Sequence, residues 1–512
     1  MPGYLIGVDI GTQGTKAALF DEALGVRATA FEPSSLISPE PGTVWQEPDV
    51  IYGSCANVIR SIMEESGVRP QDVLAIGLDG QMAGIMGVDE NGEATTYYDS
   101  WLDMRCGKYM DQMRQKAGRR IIEISGGPVT YIHGPKILWW KNEHPEAYKK
   151  TAFFVLPHAY VVGKMTGLRG AEIYFDYTHL HFSTFGDNAN KSWSEEMLDL
   201  FGVDRAKMAR VVSPFMIVGK TTKEFASISG LIEGIPVSAG CGDTAAGTFG
   251  SGMFETGRVL DCAGTASVLC SVVDAYVPDT AHETMTMMRS PIDGFWLPLA
   301  YINGGGMCVR WFRDTLTGIP CAQYDELERE AEQVPVGSEG ALFIPHFSGR
   351  VLPNNPNLKG SFLGLDFKHT RGYLYRAVME SIAYEYRYFL SVLRELYPEE
   401  RFECLSVIGG GAKSALFNQI KADVLGVEVN TFQTGETALI GSAVIAGYGA
   451  GVLDDYRAPI LRVMQKTRVF LAECQNTQQY RVFADAYLLA LEHLTGFYAE
   501  ELRLQKDEMK IR

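Results

Sequence analysis

Apolar residues along this chain fall into short continuous runs and helical stripes, and the two kinds alternate. Tyr4–Ile10 (YLIGVDI) is apolar and β-branched, which predicts a buried strand. Ala17–Phe20 predicts its return, so Tyr4 to Phe20 reads as a hairpin with a glycine-rich tip at Gly11 and Gly14. Gly42–Asp49 (GTVWQEPD) predicts a loop whose Pro48 suits a first helical position. Asp49–Glu65 then places Ile51, Ala56, Val58, Ile59, Ile62 and Met63 at helical spacing. Leu74–Leu78 predicts a buried strand closing on Asp79-Gly80-Gln81-Met82-Ala83-Gly84, and Asp89–Gly92 a turn. Trp101-Leu102-Asp103-Met104-Arg105 leads into a helical stretch to about Gly118. Strand and helix signals alternating to about residue 250 predict an α/β layered domain.

Beyond that point the pattern restarts. Arg258 to Val273 again reads strand, Gly-Thr turn, strand, a weak echo of Val8-Asp9-Ile10-Gly11-Thr12, as a duplicated domain would give. Two glycine-rich helix entries follow, Asn303–Met307 (NGGGM) and Gly409–Lys413 (GGGAK), the second between the strand Cys404–Ile408 and a helical run Ser414–Leu425. Gly372–Leu396 predicts a core helix, and Gln478–Glu508 a closing helical tail. The nine histidines show no metal spacing, and His179 and His181 read as alternate positions of a strand.

The composition narrows the class. At 512 residues the chain suggests two to three domains. Its 46% hydrophobic and 21% charged residues are ordinary for a soluble globular protein. The longest apolar runs, Ala152–Leu156 and Phe295–Ile302, are far short of a membrane span. The first strand begins within four residues of the N-terminus, which predicts no signal peptide. Nine scattered cysteines without a CxxC pair predict reduced thiols in the cytoplasm. A formal charge of −16 argues against nucleic acid or anionic membrane as partner, so an anionic ligand needs a local site.

Two places offer such a site. Backbone N–H groups at the first hairpin's tip make an anion nest, and Asp9 beside it can hold a divalent cation through water. The plainer reading is an ordinary hairpin whose glycines serve the turn. In Ile235–Gly247 (IPVSAGCGDTAAG), Asp243 stands where a strand's carboxyl end meets a helix N-terminus, the usual place for ligands in open α/β sheets. It could also serve only as that helix's cap. The strand–glycine–helix order at Gly409 lets backbone approach a nucleotide, although glycine runs also occur where helices pack tightly on sheets.

In combination these stretches resemble the FGGY carbohydrate kinases, and among them most the xylulose kinases. The resemblance runs from about Tyr4 to about Leu453. It rests on GVDIGTQGTKAALFD, WQEPD, GLDGQMAGIMGVD, SWLDMR, LPHAYVVGKMTG, SAGCGDTAAGTFGSG, CAGTAS, NGGG with Trp311, GSFLGLDFKHTRGYLYRAVMESIAYE and GGGAKSALFNQIKADVLG. It implies two actin-like (ribonuclease H-like) α/β domains, over residues 1–250 and 251–455, with a helical tail over 456–512 and the active site in the cleft. Asp243 resembles the base that takes the proton from the attacking sugar hydroxyl, and Asp9 the carboxylate that binds Mg²⁺ through water. Thr12, Gln13 and Lys16 would face the ATP phosphates, with Gly264 and Thr265 opposing them. Gly410, Gly411 and Ala412 would line the adenosine site. Gln81, Met82, Trp101, Asp103 and Asp243 would face the sugar.

The expected activity is therefore ATP-dependent phosphorylation of a small carbohydrate, D-xylulose first, in a cytoplasmic enzyme. The resemblance also allows a homodimer. Departures bear on the sugar: xylulose kinases typically read Met-His where this chain has Met82-Ala83, and often Lys-Asp where it has His158-Ala159. His133 stands three residues before Lys136, where the family usually has Pro, Ser or Thr, and Tyr373 replaces a usual polar residue after Gly372. The alternatives are another pentulose, a polyol or an autoinducer-type acceptor, and a non-catalytic actin-like nucleotide-binding protein.

Overall fold

Leu5, Ile6, Val8 and Ile10 are all buried, because the strand Tyr4–Ile10 is covered on both faces of its sheet. The computed structural model describes residues 3–317 and 324–511. Its first sheet runs, from one edge, Val26–Pro33, Gly14–Asp21, Tyr4–Ile10, Val73–Gly80, Pro236–Ser238 and Ile217–Lys220, with Cys241–Gly242 also paired to Val73–Gly80. The second runs Thr286–Arg289, Trp296–Ile302, Ser267–Ser271, Arg258–Ala263, Cys404–Ile408, Glu428–Phe432 and Lys466–Phe470.

Across six strands of each sheet the pairings repeat. Both read antiparallel, antiparallel, parallel, parallel, antiparallel. The first hairpin, Tyr4–Ile10 with Gly14–Asp21, therefore corresponds to the second, Arg258–Ala263 with Ser267–Ser271. The echo between the two Gly-Thr turns is matched by a repeated sheet topology, and the expected two-domain α/β fold is present.

Two helices join the halves. Asp243–Gly250 follows the first sheet's last strands, and Thr437–Gly449 follows Glu428–Phe432 of the second. They touch backbone to backbone: a Cβ on Gly250 would lie 1.9 Å from the Thr437 carbonyl oxygen, and one on Gly441 2.1 Å from that of Ala246. Thr437–Gly449 also lies on the first sheet, where a Cβ on Gly7 would meet the Leu439 oxygen at 2.1 Å. A middle core of Leu5, Phe20, Ala246, Phe249, Leu260, Leu299, Leu439 and Val444 packs around this pair, between the two sheets' own cores. The helix Asp243–Gly250 is thus fixed to both halves.

Three expectations are corrected. His179 and His181 are not strand positions; they lie in a 3₁₀ turn, Tyr177–His179, and the short helix Leu180–Ser183. The helix after Arg105 runs past Gly118 to Ser125, with a break at Ala117. The closing tail, Cys474–Ile511, does more than close the chain. Tyr480, Ala484, Tyr487 and Leu491 along one stripe are buried in the second core; the Tyr480 hydroxyl donates to Glu380 and the Tyr487 hydroxyl to Glu385, both at 2.8 Å and both on the core helix Arg371–Leu396. Among the described residues all eight cysteines are unpaired, and no helix is long and apolar enough to cross a membrane.

Candidate active site

Three adjacent parallel strands end at one edge of the first sheet and bring three carboxyl groups together. Asp9 stands beside Asp79 in the parallel register of Tyr4–Ile10 with Val73–Gly80. Asp243 follows directly after Cys241–Gly242, which pairs with Asp79 and Gly80. Gly240 turns the chain there with φ +74°, and its missing side chain admits the Leu78 carbonyl oxygen, 1.9 Å from where a Cβ would be.

Asp243 begins its helix, and its Oδ1 accepts from the Thr244 N–H at 2.5 Å and the Thr244 hydroxyl at 3.1 Å. Its Oδ2 accepts no hydrogen bond from the described residues. Asp9 Oδ1 and Asp79 Oδ1 are both buried without a partner, while Asp79 Oδ2 accepts from the Ser442 hydroxyl at 2.6 Å. Burial, and then the Asp243 charge, push Asp9 up to about 7. Burial raises Asp243, and burial with the neighbouring Asp9 holds Asp79 well above the usual carboxylate range.

The sugar-facing and phosphate-facing residues expected from sequence meet in one hydrogen-bonded chain. The Trp101 indole donates to the Thr12 hydroxyl at 2.8 Å, Thr12 donates to Gln81 Oε1 at 3.3 Å, and Gln81 Nε2 donates to Gln46 Oε1 at 2.7 Å. Met82 packs under the residue preceding Asp243, its sulfur 2.5 Å from where a Cβ on Gly242 would be. Ala83 sits in the left-handed region at φ +62°, a strained place for a residue with a Cβ. Asp103 is a correction. Its carboxylate is buried and already taken by the Val44 N–H at 2.8 Å and by the Arg105 side chain, so it braces the loop and offers no open acceptor to a sugar.

Gln13 is exposed at the first hairpin's tip, and Lys16 reaches Glu436, just before the helix Thr437–Gly449, at 3.4 Å. Gly264 and Thr265 occupy the equivalent tip of the second hairpin and are exposed. The glycine runs pack against that tip. A Cβ on Gly306 would lie 2.0 Å from the Gly264 oxygen, and one on Gly411 2.6 Å from the Ala263 Cβ. Gly409, at φ +83°, makes the turn that leaves Gly410, Gly411 and Ala412 beside it with partly or fully open backbone.

Behind Asp243 lies a buried group that the sequence did not reveal. Asp176 accepts from His158 Nε2 at 3.1 Å, His179 Nδ1 at 2.8 Å, and the Thr178 N–H at 2.9 Å. The Thr178 hydroxyl in turn accepts from the Gly242 N–H at 3.0 Å, one residue before Asp243. Burial opposes the Asp176 charge, but the two imidazoles outweigh it and hold this carboxyl far below the usual range. His158, Asp176 and His179 lie close enough to share a metal ion, yet the carboxylate they surround is already satisfied. The orphaned oxygens of Asp9 and Asp79 are the donors that suit a hard cation such as Mg²⁺. His158 sits behind Gly80, where a Cβ would meet its Nδ1 at 3.2 Å, so it supports the loop from behind.

Sequence reasoning missed Gln46, Asp79, Asp176, His179 and Ser442. Asp79 carried the signal used for Asp9, a lone carboxylate at a strand's end, and Gln46 stood in the quoted WQEPD motif.

Residues 4–250 match the FGGY family of carbohydrate kinases, N-terminal domain, and residues 262–450 match its C-terminal domain. The chain is 27% identical over 488 residues to a xylulose kinase of Bacillus subtilis, covering 94% of this chain and 96% of that protein. It is 25% identical over 519 residues to a gluconokinase of Bacillus licheniformis, covering 99% of each. A solved ligand-bound xylulose kinase from Lactobacillus acidophilus shares the fold with a TM-score of 0.90 at 20% identity, over 97% of this chain and 99% of that one.

Proposed function

This chain belongs to the FGGY family of carbohydrate kinases, and from that premise we propose that it transfers the γ-phosphoryl group of ATP to D-xylulose, giving D-xylulose 5-phosphate. The reading is carried by Asp243: a strand-end carboxylate with one oxygen fixed by Thr244, the other free, and a proton affinity raised by burial. Asp243 takes the proton of the attacking sugar hydroxyl as the oxygen–phosphorus bond forms. The bond from the γ-phosphorus to the β–γ bridging oxygen breaks in line, and ADP leaves with that electron pair.

The remaining residues position and neutralise. Thr12, Gln13 and Lys16 at the first tip, and Gly264 and Thr265 at the second, would hold the phosphates; Gly410, Gly411 and Ala412 would take the adenosine. Trp101, Gln81 and Met82 would hold the sugar. Mg²⁺ bound through Asp9 would supply charge neutralisation for the phosphates. The shared Trp101–Thr12–Gln81 chain makes sugar and phosphate positioning one unit, which suits in-line transfer. We place the enzyme in the cytoplasm, where ATP is supplied.

A second reading keeps the chemistry and changes the acceptor to another pentulose, a polyol or a sugar acid. Ala83 favours it, since its methyl gives no hydrogen bond in the sugar loop. A gluconokinase and a glycerol kinase of Thermotoga maritima (28% identical over 491 residues, 94% of this chain and 97% of that protein) are among the relatives. ADP release with Mg²⁺–ATP, measured across ketopentoses, pentitols, glycerol and aldonic acids, decides. Strongest stimulation by D-xylulose supports the first reading, strongest stimulation by another compound reassigns the acceptor, and silence across the panel overturns both.

A further inference from the structure

Asp79 has no role in the scheme above, and its surroundings ask for one. It is fully buried at the end of Val73–Gly80, in register beside Asp9. Its Oδ2 accepts from the Ser442 hydroxyl at 2.6 Å, and its Oδ1, like Asp9 Oδ1, is buried with no partner. Two neighbouring carboxyl groups with open lone pairs call for something positive between them, either a proton or a metal ion. A hydroxyl or amide at position 79 would satisfy Ser442 equally well, so packing gives no reason for a carboxylate there.

We propose that Asp79 is a second carboxylate of the divalent-cation site, acting with Asp9 on the Mg²⁺ that accompanies ATP, and that the Ser442 hydroxyl aims it. The proposal rests on the ATP-dependent reading above. Hard cations take carboxylate oxygens, and a first-sheet edge bearing Asp9, Asp79 and Asp243 concentrates them where the nucleotide phosphates are expected. Ser442 lies on Thr437–Gly449, the helix that enters from the second half. One hydroxyl therefore fixes the first half's metal-binding carboxylate to the element that joins the two halves. Residues that orient a metal's ligands commonly cost about 10–100-fold in metal affinity when removed.

The test is Mn²⁺ binding followed by electron paramagnetic resonance, with ADP present and no sugar, on the full chain. Asp79→Asn should weaken Mn²⁺ binding by about tenfold or more, and Ser442→Ala by about tenfold. ADP binding without metal should be unchanged in both, and thermal melting checks that each variant is folded. Wild-type Mn²⁺ affinity in folded Asp79→Asn overturns the proposal and leaves a proton as the bridge between the two carboxyl groups. If Asp79→Asn does not fold, Ser442→Ala decides: wild-type affinity there overturns it equally. Should the wild-type chain bind no Mn²⁺ with ADP, the ATP-dependent reading falls as well, which separates the two failures.

Discussion

The Trp101 indole N–H donates to the Thr12 hydroxyl at 2.8 Å, tying the loop expected to face the sugar to the hairpin expected to hold the phosphates. The two residues stand 89 positions apart in the sequence. Because the Thr12 hydroxyl in turn donates a hydrogen bond to Gln81 Oε1, displacement of the indole loosens both sides. Trp101→Phe keeps most of the ring and removes the donor. We expect a fall in kcat/KM of about tenfold, the cost of one unsatisfied polar partner of roughly 1–2 kcal/mol, with both KM for the acceptor and kcat affected. Steady-state kinetics with each substrate varied checks this; a change confined to KM for ATP would contradict it.

The contact between the two joining helices tolerates no side chain. Gly441→Ala would drive a Cβ to 2.1 Å from the Ala246 carbonyl oxygen, which belongs to backbone and cannot rotate away. We expect a loss of at least about 2 kcal/mol, at the upper end of overpacking costs, seen as a lower midpoint in urea unfolding. Gly435→Ala, where a Cβ meets nothing within 4 Å, serves as the control with little change.

Below the second hairpin, Lys421 donates to Asp261 Oδ2 at 2.6 Å, and the Tyr386 hydroxyl donates to Asp261 Oδ1 at 2.6 Å, all three buried. Lys421→Met strands a buried carboxylate and should cost about 3–5 kcal/mol. Adding Asp261→Asn should recover much of that loss in the same unfolding measurement. Equal stability of the single and double variants would contradict the pairing.

The buried imidazoles predict acid sensitivity. Burial holds His133 and His158 below their ordinary value and pushes His181 down to about 3. Unfolded histidine takes up its proton near 6.5 while folded His181 refuses it, so the unfolded chain binds more protons and stability falls as pH drops below about 6.5. Between pH 7.5 and 5.5 His181 alone should account for about 1.4 kcal/mol of that fall. His181→Gln, which never protonates, should flatten the profile by that amount; an unchanged profile would contradict the assignment.

How much of this was legible in the residues depends on range. The two hairpins, the glycine entries and Asp243 at a strand-to-helix junction are local patterns, and the structure places each element where the pattern put it. The long-range partners were not legible. That Asp79 would face Asp9 depends on parallel pairing across some seventy residues, and that Ser442 would reach Asp79 depends on a helix from the other half. His179 and His181 two residues apart imitate strand alternation, but Asp176 caps the turn through the Thr178 N–H and draws His179 back onto its carboxylate. Asp103 has the residue type of a sugar ligand, but its carboxylate is held by Arg105 two residues on. The spacing of Tyr480, Ala484, Tyr487 and Leu491 did carry a signal, an apolar stripe that a mere tail has no need of.

In the proposed mechanism Asp243 takes the proton of the attacking hydroxyl. The most direct measurement compares sugar-dependent ADP formation by Asp243→Ala and the wild-type chain, both saturated with Mg²⁺–ATP and the preferred acceptor. With Asp243 as the base, kcat of the variant falls about 10²–10⁴-fold while ATP binding and folding are retained. Turnover at the wild-type rate in that variant would contradict it.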